Sequence, residues 1–339
     1  MYSDASLSGV GGKFGPCEFF NTLATDHDGD LRLAVIVRVT RHAPSEADQP
    51  GFERTDVSRF HGGGLQDELA ALIALACGIR VEAGGIVREF RGDDPLGRPI
   101  QHSHREPLLP PARHRLIRRL RDGSLNDLGR VLNRYVDSGP SDSIEILRAA
   151  RMYQQAVWMC DADPDYAWLR FVSALETAAT CWARDGTDDV TALRSAKPEL
   201  AAKLREFGDD HELEIARLLR DQLRATSRFL SFTERYRPDP PDERPELAFQ
   251  LDWRNLKRTM RTIYEYRSQS LHAGVPFPRP MSLPPLRTHM GELCAEAPPG
   301  LASGFGASRW IAKDTPMYLH TFEHITRHTL LSWLADPER

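Results

Sequence analysis

Residues Asp165–Trp182 read DYAWLRFVSALETAATCW, and this stretch decides the fold class. Trp168, Val172, Leu175, Ala179 and Trp182 recur at steps of four and three, which aligns them along one side of an α-helix. Asp163 followed by Pro164 supplies an N-cap and a proline at the first helical position, where the missing N–H costs nothing. A tryptophan at each end of the stripe demands a substantial partner surface, so other helices must cover it.

Those partners are visible on both sides. Upstream, Asp142 and Glu145 have capping-box spacing for a helix running to about Cys160. Downstream, a helical stretch covers roughly His211–Tyr236 and stops before the proline-rich RPDPPDERPE. A further helix begins near Asp252, with Trp253, Leu256, Met260, Ile263 and Tyr264 on its apolar face and Arg254, Lys257, Arg258 and Arg261 on the opposite side. The last helix starts at Thr315-Pro316 and carries Leu319, Phe322, Leu330 and Trp333. Between His272 and Asp314 lies a Pro/Gly-rich connection. Long helices joined by breakers imply a mainly α chain with a C-terminal up-and-down bundle over 141–339.

The N-terminal part differs. Leu31–Thr40 is rich in β-branched residues and reads as a strand, Gly62–Gly64 precede an apolar-periodic helix, and Val81–Pro99 reads as a turn-rich loop. Residues 1–135 are expected to form a smaller α/β domain, so that 339 residues make two domains. A hydrophobic fraction of 41% with 27% charged residues is that of an ordinary globular protein, and no apolar run is long enough to cross a membrane. Five scattered cysteines without a Cys-x-x-Cys pair suggest neither a disulfide framework nor a zinc knuckle. With no secretion signal at the start, the chain reads as cytoplasmic. A net charge of −4 argues against indiscriminate coating of nucleic acid, though not against a local basic groove.

The fourth of these helices ends in YRSQSLHAG, Tyr266–Gly274. Arg267 follows Met260 by two turns and therefore falls on the apolar face. A buried unpaired charge is costly, so Arg267 must open onto a cleft or an interface, or be neutralised within the chain by Glu176. His272 follows, and Gly274 and Pro276 are stop signals, so the helix is expected to end near His272 and free the imidazole to turn back toward an arginine. Arginine with histidine suits phosphodiester cleavage without metal: neutral imidazole accepts the 2′-hydroxyl proton of RNA, and guanidinium stabilises charge on the phosphate. The bland alternative is that both residues merely satisfy the last carbonyls of the helix.

The Arg-x4-His spacing, the Ala-Gly that follows and the preceding bundle resemble the HEPN superfamily. DYAWLRFVSALETAATCW is similar to the first core helices of its Apea-like branch, YRSQSLHAG to the catalytic segment, and PMYLHTFEHITRHTLLSW to the closing helix. The resemblance covers roughly 141–339 and nothing specific in 1–140. It implies a metal-independent endoribonuclease of a toxin–antitoxin or phage-defence kind, active as a homodimer with a composite cleft, needing no cofactor and partnered by RNA and by an antitoxin or sensor protein. It further implies that Arg267 binds phosphate, His272 acts as general base and Glu176 orients them. The residue after the arginine is commonly Asn, Asp or His in that family; here it is Ser268, which can still donate a hydrogen bond. Beside such a site, Arg254, Lys257, Arg258 and Arg261, and the stripe Arg217, Arg220, Arg224 and Arg228, are candidate tracks for an RNA backbone. The alternative class is a non-catalytic module that binds RNA, nucleotide or protein.

Two other patterns are weaker. His320-x-x-Glu323-His324 has the inverted zincin spacing, but the further downstream acidic ligand such an enzyme needs is missing, and a polar helix face is the better reading. Gly62–Gly64 lack the Gly-Lys-Ser/Thr ending of a phosphate loop and read as a turn.

Overall fold

The computed structural model describes residues 1–9, 11–21, 31–40, 55, 57–91, 94–100, 107–112, 114–183, 188–287 and 293–336. The protein is mostly helical, with a small strand-containing N-terminal region and a helical C-terminal part. It divides into two compact units, Met1–Pro111 with Arg118–Trp158, and Ala112–Ile117 with Met159–Arg339.

The first unit opens with short strands β1 (Tyr2–Ser3), β2 (Ser6–Ser8), β3 (Lys13–Phe14), β4 (Cys17–Asn21), β5 (Arg32–Leu33) and β6 (Val35–Val39). Strands β3, β4 and β6 form an antiparallel sheet in that order, and β1 pairs with β5. Alternation along β4 buries Phe19 and exposes Phe20. Helix α1 (Leu65–Cys77) is buried from Leu69 onward and ends at a left-handed Gly78. Strands β7 (Arg88–Arg91) and β8 (Asp94–Pro99) follow as an antiparallel ribbon, where the sequence suggested a loop. Side chains close that ribbon rather than apolar alternation: Asp94 accepts from the Leu96 and Gly97 amides, and Arg88 Nη1 donates to the carbonyl of Gly97 at 3.0 Å. Strand β9 (Asp122–Ser124) runs parallel to β2.

Helices α2 (Leu128–Asp137) and α3 (Pro140–Met159) complete the unit. Helix α3 starts one residue before the expected region, and Glu145 pairs with Arg148 instead of closing a capping box with Asp142. It clusters with the first unit up to Trp158, although its sequence reads as part of the C-terminal bundle. The fully buried Arg80 joins three segments, since its guanidinium meets Asp4 Oδ2 at 2.9 Å and the Val157 carbonyl at 2.9 Å.

The second unit is built on α4 (Pro164–Trp182). Asp163 caps it by accepting from the Tyr166 amide at 3.0 Å, and the expected stripe is buried except for Trp182, which stays exposed at the end. Short helices α5 (Asp189–Ala196) and α6 (Pro198–Arg205) follow. The stretch expected as one helix over 211–236 is two, α7 (Asp209–Leu218) and α8 (Arg220–Arg235). The break lets α7 pack on α5 and α6, adding Ala216 to a small cluster with Ala192, Leu193 and Ala201, while α8 reaches from α5 across to α4. Helix α9 (Leu256–Ala273) and helix α10 (Leu319–Ala335) lie against α4 as well. Helix α10 begins later than Thr315, because Thr315 is buried and its hydroxyl bonds the Ala312 carbonyl in a tight turn. The connection before it carries a ribbon of its own, β10 (Ala302–Phe305) with β11 (Ser308–Ile311). Among the described residues no helix is long and apolar enough to cross a membrane.

A buried carboxylate ties the segment before α9 to the start of α10. Glu296 accepts two bonds from Arg244, one from the Leu251 amide at 2.6 Å and one from the Trp253 indole at 3.2 Å, while its carbonyl accepts from Tyr318 and Thr321. Burial pushes its acidity down, but the Arg244 guanidinium and these N–H donors outweigh that and hold its pKa below the usual carboxylate value. A depressed carboxylate stabilises the fold above its unfolded pKa and loses that contribution as pH falls through the folded one. Glu296→Gln should therefore cost about 1–3 kcal/mol at pH 7, measured by denaturant unfolding. The gap to the native chain should narrow as pH drops below about 4.3; a gap constant with pH would refute the ionic role.

Candidate active site

Helix α9 is entered through a tight turn at Trp253–Asn255, where the Asp252 carboxylate accepts from the Arg254 amide and the Asn255 side chain. Trp253, Leu256, Met260, Ile263 and Tyr264 are buried, as their spacing requires. Gly274 ends the helix in the left-handed region (φ 65°), its amide bonded to the Gln269 carbonyl. A side chain there would strain the backbone, so the stop is built into the sequence.

Arg267 stands at the edge of this apolar face, and Glu176 on α4 meets it. The guanidinium Nη2 lies 2.6 Å from Glu176 Oε2, and the two side chains are only 21% and 19% exposed. Tyr264, one turn earlier, donates its hydroxyl to the other carboxylate oxygen at 2.9 Å, and its ring lies 5.7 Å below the guanidinium. Arginine, carboxylate and phenol thus close a small network between α4 and α9. Burial raises the pKa of Glu176, and the pull of Arg267 and the Tyr264 hydroxyl in the opposite direction does not cancel it. Burial and the neighbouring Glu176 push the Tyr264 phenol up, so it remains a hydrogen-bond donor. Arg267 Nε is buried and finds no hydrogen-bond partner among the described residues.

His272 does not turn back. Helix α9 continues regularly through Ala273, so the imidazole sits about 140° around the axis from Arg267 and roughly 7.5 Å further along it. It is exposed, and makes no hydrogen bond or ion pair with the described residues. Ser268 is half-buried beside Arg267. Of the candidate basic track, Lys257 and Arg258 are exposed, Arg254 is exposed and paired with Asp252 at 3.2 Å, and Arg261 is half-buried. Arg217 is exposed on α7 and Arg228 half-buried on α8, so the break at Leu219 divides this stripe between two helices. Arg220 and Arg224 fall on α8, but their side chains lie outside the described residues.

No family model, curated protein or solved structure matches the chain. What the site can do follows from its own geometry. Glu176 occupies one edge of the guanidinium and fixes its orientation, and an anion reaching Arg267 would add to or displace that carboxylate. The His320/Glu323/His324 pattern is spent on packing: His320 Nε2 meets the Ala295 carbonyl at 2.8 Å, His324 Nε2 meets the Asp239 carbonyl at 3.2 Å, and Glu323 is buried. Among the described residues no group of three or more His, Cys, Asp or Glu could hold a metal ion.

Two contributors escaped the sequence. Tyr264 reads there as one more apolar position, and only its i, i+3 spacing to Arg267 signals a shared network. Tyr266 donates its hydroxyl to the Asp314 carbonyl at 2.6 Å and so fastens the far end of the long connection to the turn that carries Arg267.

Because Arg267 and Glu176 are largely withdrawn from water, removing either strands the other. A double-mutant cycle with Glu176→Gln and Arg267→Met should give a coupling of about 1–2 kcal/mol in denaturant unfolding. Additive effects would show that the pair carries no stability.

Proposed function

We propose that the chain is a metal-independent endoribonuclease, in which Arg267 binds the scissile phosphate and His272 takes the proton from the adjacent 2′-hydroxyl. One observation carries it: a largely buried guanidinium, held in place by a carboxylate and a phenol, lies one and a half turns before an exposed histidine that the described residues leave without a partner. The 2′ oxygen attacks phosphorus as its proton passes to the imidazole, the bond from phosphorus to the 5′ oxygen breaks, and that oxygen takes a proton from water, so the products are a 2′,3′-cyclic phosphate and a free 5′-hydroxyl. The guanidinium stabilises the charge gathering on the phosphate oxygens in the transition state.

The two groups diverge on one helix, so the proposed active unit is a homodimer. In it the imidazole of one subunit faces the guanidinium of the other across a two-fold axis. Leu271 and Val275, 52% and 47% exposed on either side of His272, supply apolar surface for such a contact. This reading makes the helical part a HEPN-type up-and-down bundle and the chain a toxin or defence effector, restrained or triggered by a partner protein. The engagement of Arg267 by Glu176 favours a second reading, a binding module in which the arginine is structural and RNA is held without being cut.

Incubation of the purified chain with RNA in EDTA decides between them. Cleavage is expected, with cyclic phosphate ends, blocked by a single 2′-deoxyribose at the cut site. His272→Ala should lower the rate at least about a hundredfold while the circular dichroism stays helical. Light scattering along a dilution series should show activity vanishing with the dimer. Cleavage that needs added metal would sink the mechanism, and RNA binding without cleavage would establish the second reading.

A further inference from the structure

The β10–β11 ribbon has no evident structural purpose. Six of its ten residues are small (Ala302, Ser303, Gly304, Gly306, Ala307 and Ser308), and the register pairs Phe305 with Ser308 across a two-residue loop in which Gly306 takes the required positive φ. An isolated two-stranded ribbon with so little to pack is marginal in water. Yet at its tip Phe305 is 60% exposed, and the guanidinium of Arg279 lies 5.6 Å from its ring centroid. Trp310 lies on the same face of the ribbon as Phe305, since its partner Ser303 is two residues from Phe305. Arg309 and Lys313 are exposed, and residues 301–313 contain no acid. Arg279 itself also feels Asp165, a half-buried carboxylate near the start of α4.

The root of the ribbon is fixed to the candidate site. The Ala312 amide closes it on the Leu301 carbonyl, and two residues later the Asp314 carbonyl takes the hydroxyl of Tyr266, the residue just before Arg267. An exposed flat ring with a cation over one face, on a ribbon whose other face and root carry further cations and whose own residues include no acid, is the chemistry that receives a nucleobase and its phosphates.

We propose that this ribbon is a finger for single-stranded RNA, in which Phe305 stacks on a base displayed near the Arg267 site and Arg279, Arg309 and Lys313 hold the flanking phosphates. The proposal rests on the ribonuclease reading for its choice of RNA. An apolar protein groove would be better met by several exposed aliphatic side chains at the tip; here the exposed ones, Leu301 and Ile311, lie at the root.

The test uses the full chain carrying His272→Ala, so that binding is read without cleavage. Fluorescence anisotropy with a labelled, unstructured 12-nucleotide RNA should show Phe305→Ala weakening affinity about tenfold. Phe305→Trp should preserve it, and Phe305→Leu, which keeps apolar bulk but has no π face, should behave like alanine. Replacing Arg309 and Lys313 together by glutamine should flatten the dependence of log affinity on log salt by about 1–2. Unchanged affinity in Phe305→Ala, or equal affinity in the leucine and native chains, would overturn base stacking. A shift in molecular mass on Phe305→Ala without a change in RNA affinity would overturn it in favour of contact between copies. Failure of the ribonuclease reading would register separately, as RNA held through Phe305 by a native chain that does not cut.

Discussion

Helix α4 is apolar on too much of its circumference to tolerate water, and the second unit is arranged to cover it. Trp168 is completely buried, stacked between Phe277 and Phe322 at centroid distances of 5.3 and 4.7 Å, and its indole N–H finds no hydrogen-bond partner among the described residues. An unsatisfied N–H costs about 1–3 kcal/mol, which the two aromatic contacts and the buried ring area offset. Phe277 lies just beyond the glycine cap of α9, whereas Arg267, earlier on α9, meets Glu176, later on α4. Helix α9 therefore runs antiparallel to α4, pinned by an aromatic stack at one end and an ion pair at the other. The direction in which α9 delivers its last turn is set by these two contacts.

Two carboxylates of this unit show how differently one residue type can be used. Glu296 is surrounded by donors, and its acidity is strengthened despite burial; it behaves as a clamp. Glu176 has one guanidinium and one phenol, and burial still wins, so its charge is incompletely compensated. A carboxylate left short of donors beside an arginine with an unsatisfied Nε is a local departure from the best stability, and such departures gather where a ligand or a reacting group supplies what the protein omits.

Much of this was legible in local pattern. The stripes of α4 and α9, the Asp163-Pro164 start and the Gly274 stop depend on periodicity and on backbone chemistry that act within one turn, and they stand where the sequence puts them. The split between α7 and α8 has no glycine or proline to announce it, because the cause is tertiary: α7 packs on α5 and α6, while α8 reaches from α5 across to α4. The β7–β8 ribbon was hidden for the opposite reason, being closed by Asp94 and Arg88 side chains on backbone groups and not by alternating apolar residues. At the site, the misfit of Arg267 on an apolar face was readable, and Glu176 was one of the two ways to resolve it. Tyr264 was masked by its own hydrophobicity, and the bearing of His272 turned on whether the helix ran one residue further, a question of a single cap.

The stacking of Phe322 on Trp168 also fixes an order of events during synthesis. Helix α4 leaves the ribosome long before α10 does, and until residues 319–335 arrive its largest side chain has only one of its two covers. Long-range closure of this kind is slow and leaves apolar surface open while it waits. Helix α9 emerges inside that interval and meets Glu176 on an α4 that α8 can cover but α10 does not yet. The arrangement that holds Arg267 is therefore completed only after α10 has been made.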